Sequence, residues 1–235
     1  MELDPRLLEQ LIPKAKKQLR ARMKALRTAL PLATRRAKSA AIVNALSARE
    51  EFASAKRIAL YWPVDAGGEV DIRALDAAAR LAGKLVYYPF MDVDGDVIRT
   101  GFRKVTRPED MQDRGRGFKE PSTELEAAAA GDLDLVVLPA LAVGADGHRL
   151  GYGSGFYDAT APEFAPPAKL VVVAYDFQLL AEVPSTPADV PVHVIITDRR
   201  VLLVGSALLA ENERPNEGTT TEATRAIPGK GEPQR

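Results

Sequence analysis

Two apolar runs separated by one helix-length segment decide most of what this chain can fold into. RIALYWPV (57–64) and KLVYYPF (84–90) read as strands of buried type. Between them, IRALDAAARLA puts Ile72, Leu75 and Ala79 on one helical face. Asp71 is a candidate N-cap for that helix, and Gly83 is its stop. Gly67 and Gly68 turn the chain after the first strand. A strand–helix–strand unit of these lengths argues for a parallel sheet. LDLVVLPALAV (133–143) is the most strongly buried strand, and KLVVVAYDF (169–177) is another. A proline-rich loop, 183–191, leads to HVIITD, the last expected strand.

The segment before this unit is helical and cationic. In KAKKQLRARMKALRTAL (14–30), Leu19, Met23, Leu26 and Leu30 recur at steps of four and three, so they form one apolar stripe. Lys16, Lys17, Arg20, Arg22, Lys24 and Arg27 are expected mostly off that stripe, and Pro31 ends the helix. A second helix is expected from Thr34, as N-cap, to Leu46. From Gln10 to Arg49 there are eleven Lys or Arg and no acid. A solvated face or an organelle-targeting segment would share that composition. Glu2, Asp4 and Glu9 precede the run and weigh against targeting.

Elsewhere the signals are local. DVDGD (92–96) has the look of a calcium loop, but the sixth and twelfth positions hold Val97 and Arg103 instead of Gly and Glu. Asp94-Gly95 is better read as a hairpin turn into DVIRTGFR. STELEAAAA (122–130) is expected to form a short helix. Residues 1–210 are expected to form one domain, and the polar, aperiodic stretch 211–235 a disordered tail.

Composition narrows the chemistry. Lys plus Arg and Asp plus Glu are equal at 32 each, so nothing global points to nucleic acid or a membrane. With no cysteine, the chain has no disulfides, thiolate metal sites or cysteine nucleophile. Two histidines are too few for a polyhistidine zinc site. No apolar run reaches membrane-spanning length, and MELDPRLLEQ carries no charged-then-apolar signal. The expectation is a soluble cytoplasmic protein.

RLGYGSGFYD (149–158) is the least ordinary stretch. It has glycine at 151, 153 and 155, and ordering glycine is costly. A glycine loop between a buried strand and a helix can offer backbone N–H groups to a phosphate. The spacing matches neither the dinucleotide nor the P-loop pattern, so a structural turn fits it equally well. Asp158, one turn into the helix, could hold Mg²⁺ or simply complement the helix dipole. Asp189, before the last strand, reads as a second metal ligand or as a turn residue.

LPALAVGADGHRLGYGSGFYD resembles the signature of the 5-formyltetrahydrofolate cyclo-ligase (methenyltetrahydrofolate synthetase) family. KKQLRARMKALR, RIALYWPVDAGGEVDIRAL and VVVAYDFQLLAEVPSTPADVPVHVIITD are similar to its other blocks, in the family's order, over residues 14–198. The resemblance implies a three-layer α/β/α fold with a mostly parallel central sheet, related to sugar-phosphate isomerases and coenzyme A transferases. It implies an ATP- and Mg²⁺-dependent monomeric enzyme that converts 5-formyltetrahydrofolate to 5,10-methenyltetrahydrofolate. Phosphorylation of the formyl oxygen and attack by N10 release ADP and phosphate, with no covalent nucleophile on the protein. ATP would be bound by Lys16, Arg20 and the loop Arg149, Leu150, Gly151, Tyr152, Gly153, Ser154, Gly155, Phe156 and Tyr157. Mg²⁺ would be held by Asp158 and Asp189. Glu69 would bind the pterin, with Phe156 and Tyr157 lining the folate side. Gln178 lies in the matching strand-end block. Ser154 and His193 depart from the family pattern, where glycine or lysine and an acid are common. His148 and His193 read as plain loop and strand residues.

Two rival readings share this scaffold. One is a non-catalytic folate- or nucleotide-binding module, which would be favoured by loss of Lys16, Asp158 or Asp189. The other is isomerase or transferase chemistry, which needs an acid–base pair or nucleophilic glutamate of its own and rests on fold analogy alone.

Overall fold

The structure, a computed structural model, describes residues 5–113 and 118–205. The end of the expected domain, 206–210, and the expected tail, 211–235, lie outside the described residues. Helices α1 (Pro5–Thr28), α2 (Leu32–Ser47) and α3 (Glu50–Ser54) precede strand β1 (Arg57–Ala59). Helix α4 (Arg73–Leu81) connects β1 to β2 (Leu85–Asp94), which turns back into β3 (Val97–Lys104). A small pair, β4 (Met111–Asp113) and β5 (Lys119–Pro121), leads to β6 (Leu135–Pro139). Then come β7 (Ala142–Gly144), β8 (Arg149–Leu150) and the one-turn α5 (Phe156–Thr160). The remaining strands are β9 (Lys169–Val173), β10 (Leu179–Leu180), β11 (Val194–Ile196) and β12 (Val201–Leu203).

The main sheet has seven strands in the order β12–β11–β9–β6–β1–β2–β3. Its five central strands run parallel, and β3 and β12 close the two edges antiparallel. From β1 the chain moves one way to β2, then returns to β6 on the other side and continues to β9 and β11. The order therefore reverses between β1 and β6, and ligands of such sheets bind outside the carboxyl ends at that point.

The parallel strands are apolar on both faces because both faces are covered. On one face, Ile42, Leu46, Phe52, Leu75 and Ala79 of α2, α3 and α4 pack on Ile58, Val86, Leu135, Val171 and Val194. On the other, Phe164, Ala161 and Ala168 pack on Val136, Leu138, Leu170, Val172 and Ile195. This is the expected three-layer arrangement, though the second layer is α5 with irregular chain and no long helix. A third cluster sets α1 against the small sheet β10–β7–β8, through Leu19 and Met23 on Leu141, Ala142, Leu150 and Val183.

Several local expectations need correction. The first strand stops at Ala59; Leu60 N still bonds Tyr87 O, but the chain then leaves the sheet to build the turn at 65–67. STELEAAAA is not a helix. Lys104 N bonds Glu126 O, Ala128 N bonds Phe102 O and Ala127 bridges Arg103, so the open edge of β3 claims this backbone against its alanine-rich preference. The second helix starts at Leu32 on Pro31, whose carbonyl accepts from Arg35 N, so Thr34 lies inside the helix instead of capping it. HVIITD is followed by β12, which was not expected. The N-cap of α4 is Ile72 and not Asp71, although Asp71 Oδ1 accepts from Arg73 N; Gly83 follows the end of α4 at φ +73.

The inward face of α1 is wider than expected. Leu19, Met23 and Leu30 of the expected stripe do pack inward, but Leu26 is 46% exposed and Arg27 only 1%. Lys16, Arg20, Met23 and Arg27 recur at the same steps of four and three, and this second stripe shares the inward side.

Candidate active site

The long buried run does not feed directly into the glycine loop. The chain breaks from the sheet after Pro139, and β7 and β8 make a hairpin around Asp146-Gly147 before the loop begins. That hairpin returns Arg149 and Leu150 to the carboxyl end of β6, with Leu141 N bonded to Leu150 O. The loop then crosses open space. Gly153 sits at φ +108 and Gly155 at φ +71, a region that side-chain-bearing residues avoid, whereas Gly151 has an ordinary φ and room for a Cβ. Two of the three glycines are thus required by backbone shape. A helix does follow the loop, as expected, but it has only one turn, so its dipole adds little to anion binding.

One cavity is lined by Lys16, Arg20, Pro139, Asp189 and every residue from Arg149 to Asp158. Its cations come from two elements. From α1, Arg20 Nε donates to Gly151 O at 2.9 Å, which leaves its terminal nitrogens without a protein partner among the described residues. Its guanidinium also lies over Gly153, where an added Cβ would sit 3.4 Å from Cζ. Lys16 Nζ meets Asp189 Oδ2 at 2.5 Å, with both side chains about nine-tenths covered or nearly so, at 13% and 15% exposure. Arg149 is buried on β8. Its Nη1 donates to Asp158 Oδ1 at 3.1 Å, its guanidinium lies 5.4 Å from the Tyr157 ring centre, and its Nε has no hydrogen-bond partner among the described residues. Burial lowers the Arg149 pKa, and the nearby Asp158 carboxylate opposes that shift.

The two carboxylates are held differently. Asp158 Oδ1 accepts from Arg149 and from Val190 N, the latter at 3.1 Å, so it ties α5 to the loop that carries Asp189. Asp189 Oδ2 accepts from Lys16, Thr186 N (2.6 Å) and Thr186 Oγ1 (2.9 Å). Burial pushes the Asp189 carboxyl up, but the hydrogen bonds from Lys16 and Thr186 outweigh it and hold the group below its usual value. Asp158 Oδ2 and Asp189 Oδ1 accept no hydrogen bond among the described residues, so each carboxylate keeps an oxygen for a ligand.

Phe156 and Tyr157 form the aromatic wall. Their rings meet edge to face at 4.9 Å, and Phe156 packs the same way on Phe102 at 6.1 Å. Burial raises the Tyr157 pKa, so its hydroxyl stays protonated. Ser154 Oγ accepts from Phe156 N at 3.4 Å and starts the short helix.

Glu69 does not line this cavity. It is 8% exposed and sits behind Tyr152, whose hydroxyl donates to Glu69 Oε1 at 2.8 Å, while Val64 N donates to Oε2 at 2.8 Å. Arg27 donates to the same tyrosine oxygen and comes within 3.9 Å of Glu69 Oε1. Tyr152 itself is 47% exposed and joins the two compartments. Burial and the Glu69 charge push its pKa up, so it remains a proton donor. Gln178 is also outside the cavity. Its amide donates to Ala140 O and Leu141 O, both at 2.9 Å, and accepts from Tyr175 N, pegging the junction of β6 and β7. His148 pairs with Asp146 and His193 accepts from Leu170 N, both away from the cavity. Arg27 and the Tyr152 hydroxyl are the participants that sequence reasoning did not single out. The available signal was the step pattern 16–20–23–27, which fits a helix face as well as the all-apolar choice does.

A cationic helix, a glycine loop and two carboxylates at the switch point of a parallel sheet are the equipment of a phosphate-handling α/β protein. The model of the 5-formyltetrahydrofolate cyclo-ligase family matches residues 12–198. The 5-formyltetrahydrofolate cyclo-ligase of Mycolicibacterium smegmatis is 34% identical over 192 residues, covering 80% of this chain and 96% of that protein. The Mus musculus 5-formyltetrahydrofolate cyclo-ligase is 25% identical over 190 residues, or 77% and 93% of the two chains. The NMR structure of Aquifex aeolicus 5,10-methenyltetrahydrofolate synthetase superposes with a TM-score of 0.69 at 29% identity, over 88% of this chain and 96% of that one. The synthetase from Mycoplasma pneumoniae, at 23% identity and a TM-score of 0.62, shares the fold. This chain belongs to the 5-formyltetrahydrofolate cyclo-ligase family. Among the described residues no helix is long and apolar enough to cross a membrane.

Proposed function

We propose that this protein uses ATP and Mg²⁺ to close 5-formyltetrahydrofolate to 5,10-methenyltetrahydrofolate. The observation that carries this reading is the convergence of Lys16, Arg20, the 149–157 loop, Asp158 and Asp189 on one cavity, in a chain of this family. A formamide oxygen is a poor leaving group and a weak nucleophile. Once the γ-phosphoryl group of ATP is on that oxygen, N10 can attack the formyl carbon. N10 loses its proton, the C–O bond breaks, and phosphate leaves with ADP as the other product. Such chemistry asks a protein to position reactants and neutralise charge more than to supply a nucleophile.

The cavity residues divide into these tasks. Lys16, Arg20 and the loop N–H groups receive the triphosphate. Two carboxylates with one free oxygen each suit Mg²⁺, which takes one or two protein carboxylates and completes its shell with phosphate oxygens and water. Mg²⁺ held there by Asp158 and Asp189 would neutralise phosphate charge. Lys16 donates to Asp189 at the cavity wall, so the lysine is the natural group to pass from carboxylate to phosphate. Phe156 and Tyr157 give the folate rings an apolar wall, and Glu69 would take pterin N–H groups once the half-exposed Tyr152, whose hydroxyl covers its Oε1, moves aside.

Incubating the protein with 5-formyltetrahydrofolate, Mg²⁺ and ATP should raise methenyl absorbance with matching ADP release. Absence of both would contradict the proposal. Folate or ATP binding without product would favour the non-catalytic reading.

A further inference from the structure

We infer that Arg27 is a positioning residue for folate: it sets the Glu69 carboxylate, while its helix neighbours Lys16 and Arg20 serve the nucleotide. The inference rests on the proposed cyclo-ligase reading and concerns a residue that touches neither proposed substrate.

Arg27 sits in the crevice where strand order reverses. Its Nε donates to Gly67 O, in the turn after β1, at 2.7 Å, and its Nη1 reaches Ala140 O, just after β6, at 3.4 Å. Its Nη2 donates to the Tyr152 hydroxyl and stands 3.9 Å from Glu69 Oε1. One guanidinium therefore joins both strand ends flanking the switch point to the glycine loop and to Glu69. The side chains of Arg27 and Glu69 are only 1% and 3% exposed. A buried arginine with that set of acceptors cannot swing out to meet a ligand. Its planar fork fixes the groups around it instead. The turn is shaped to admit it: a Cβ on Gly67 would lie 3.1 Å from the Tyr152 hydroxyl and 3.3 Å from Arg27 Nη2. The only ion pair this guanidinium makes among the described residues is with Glu69; its other acceptors are two carbonyls and the protonated Tyr152.

Lysine at position 27 would keep the charge beside Glu69 but could not span Gly67, Ala140 and Tyr152 together. Glu69 would keep its counter-charge and lose its fixed orientation. Arg27→Lys is therefore expected to weaken 5-formyltetrahydrofolate about tenfold, in KM and in calorimetric Kd, with the ATP constants moving less than about twofold. In a Glu69→Gln background the same change should alter folate binding by less than about twofold, because the effect travels through Glu69. Arg27→Gln, which keeps a donor for Gly67 O, serves if the lysine variant does not fold. Equal shifts in the folate and ATP constants, a fall in melting temperature with neither constant changed, or full additivity with Glu69→Gln would each overturn the assignment. A wild-type protein that binds folate but makes no methenyl product would end the cyclo-ligase reading instead. The calorimetric arm needs no turnover, so the two failures are distinguishable.

Discussion

Lys16 and Arg27 lie about three turns apart on one face of α1 and make ion pairs of opposite character. Lys16–Asp189 stands at the wall of an open cavity, and the carboxylate has two further donors in Thr186. Arg27–Glu69 is sealed, and its members also hold the strand ends, the 64–69 turn and Tyr152. An accessible pair with alternative partners can open to admit a ligand at little cost. A buried pair cannot, since losing one partner leaves an uncompensated charge. The helix thus presents an exchangeable end to the phosphates and a fixed end to the folate side.

The largest expected break concerns the metal. Asp158→Asn keeps an acceptor for Arg149 and Val190 but removes the carboxylate charge, so turnover with Mg-ATP should fall on the order of 100-fold. Folate binding, measured by calorimetry, should be nearly unchanged; equal loss of both would give Asp158 a folding role. The contrast between the two ion pairs is tested next by denaturation. Arg27→Met should cost about 3–5 kcal/mol by stranding Glu69, and Lys16→Ala under about 1 kcal/mol. Similar losses would erase the distinction. In steady-state kinetics, Lys16→Ala should raise the ATP requirement about tenfold while sparing folate, and an unchanged ATP dependence would reject its phosphate contact. Gly153→Ala forces a Cβ to φ +108 and should cost about 1–3 kcal/mol, seen as a lower melting temperature together with weaker ATP use. The smallest effect is expected from removing the polar stretch after Glu211, which should leave activity intact.

What sequence could show depended on whether one pattern had a rival. The strands at 85–90, 135–139 and 170–173 carry unbroken apolar runs, as a covered parallel sheet needs, and the sheet is there. The glycine loop and its two carboxylates were legible because few backbones need that composition. The face of α1 was legible in part: Leu19, Met23 and Leu30 pack as their steps predict, but 16–20–23–27 has identical steps, and hydrophobicity gave no reason to turn Arg27 inward and Leu26 outward. Burial of Arg27 is a tertiary fact, created by acceptors at Gly67, Ala140 and Tyr152 that are distant in sequence. The seclusion of Glu69 follows from the same contacts. STELEAAAA failed for a related reason: a sheet edge supplied hydrogen bonds that outweighed alanine's helical preference.

The central claim is that this cavity brings ATP to the formyl oxygen of the folate. Label that oxygen with ¹⁸O, run the reaction to completion with Mg²⁺ and ATP, and weigh the inorganic phosphate by mass spectrometry. Phosphorylation of the formyl oxygen predicts one ¹⁸O per phosphate formed. Methenyl product accompanied by unlabelled phosphate would contradict it.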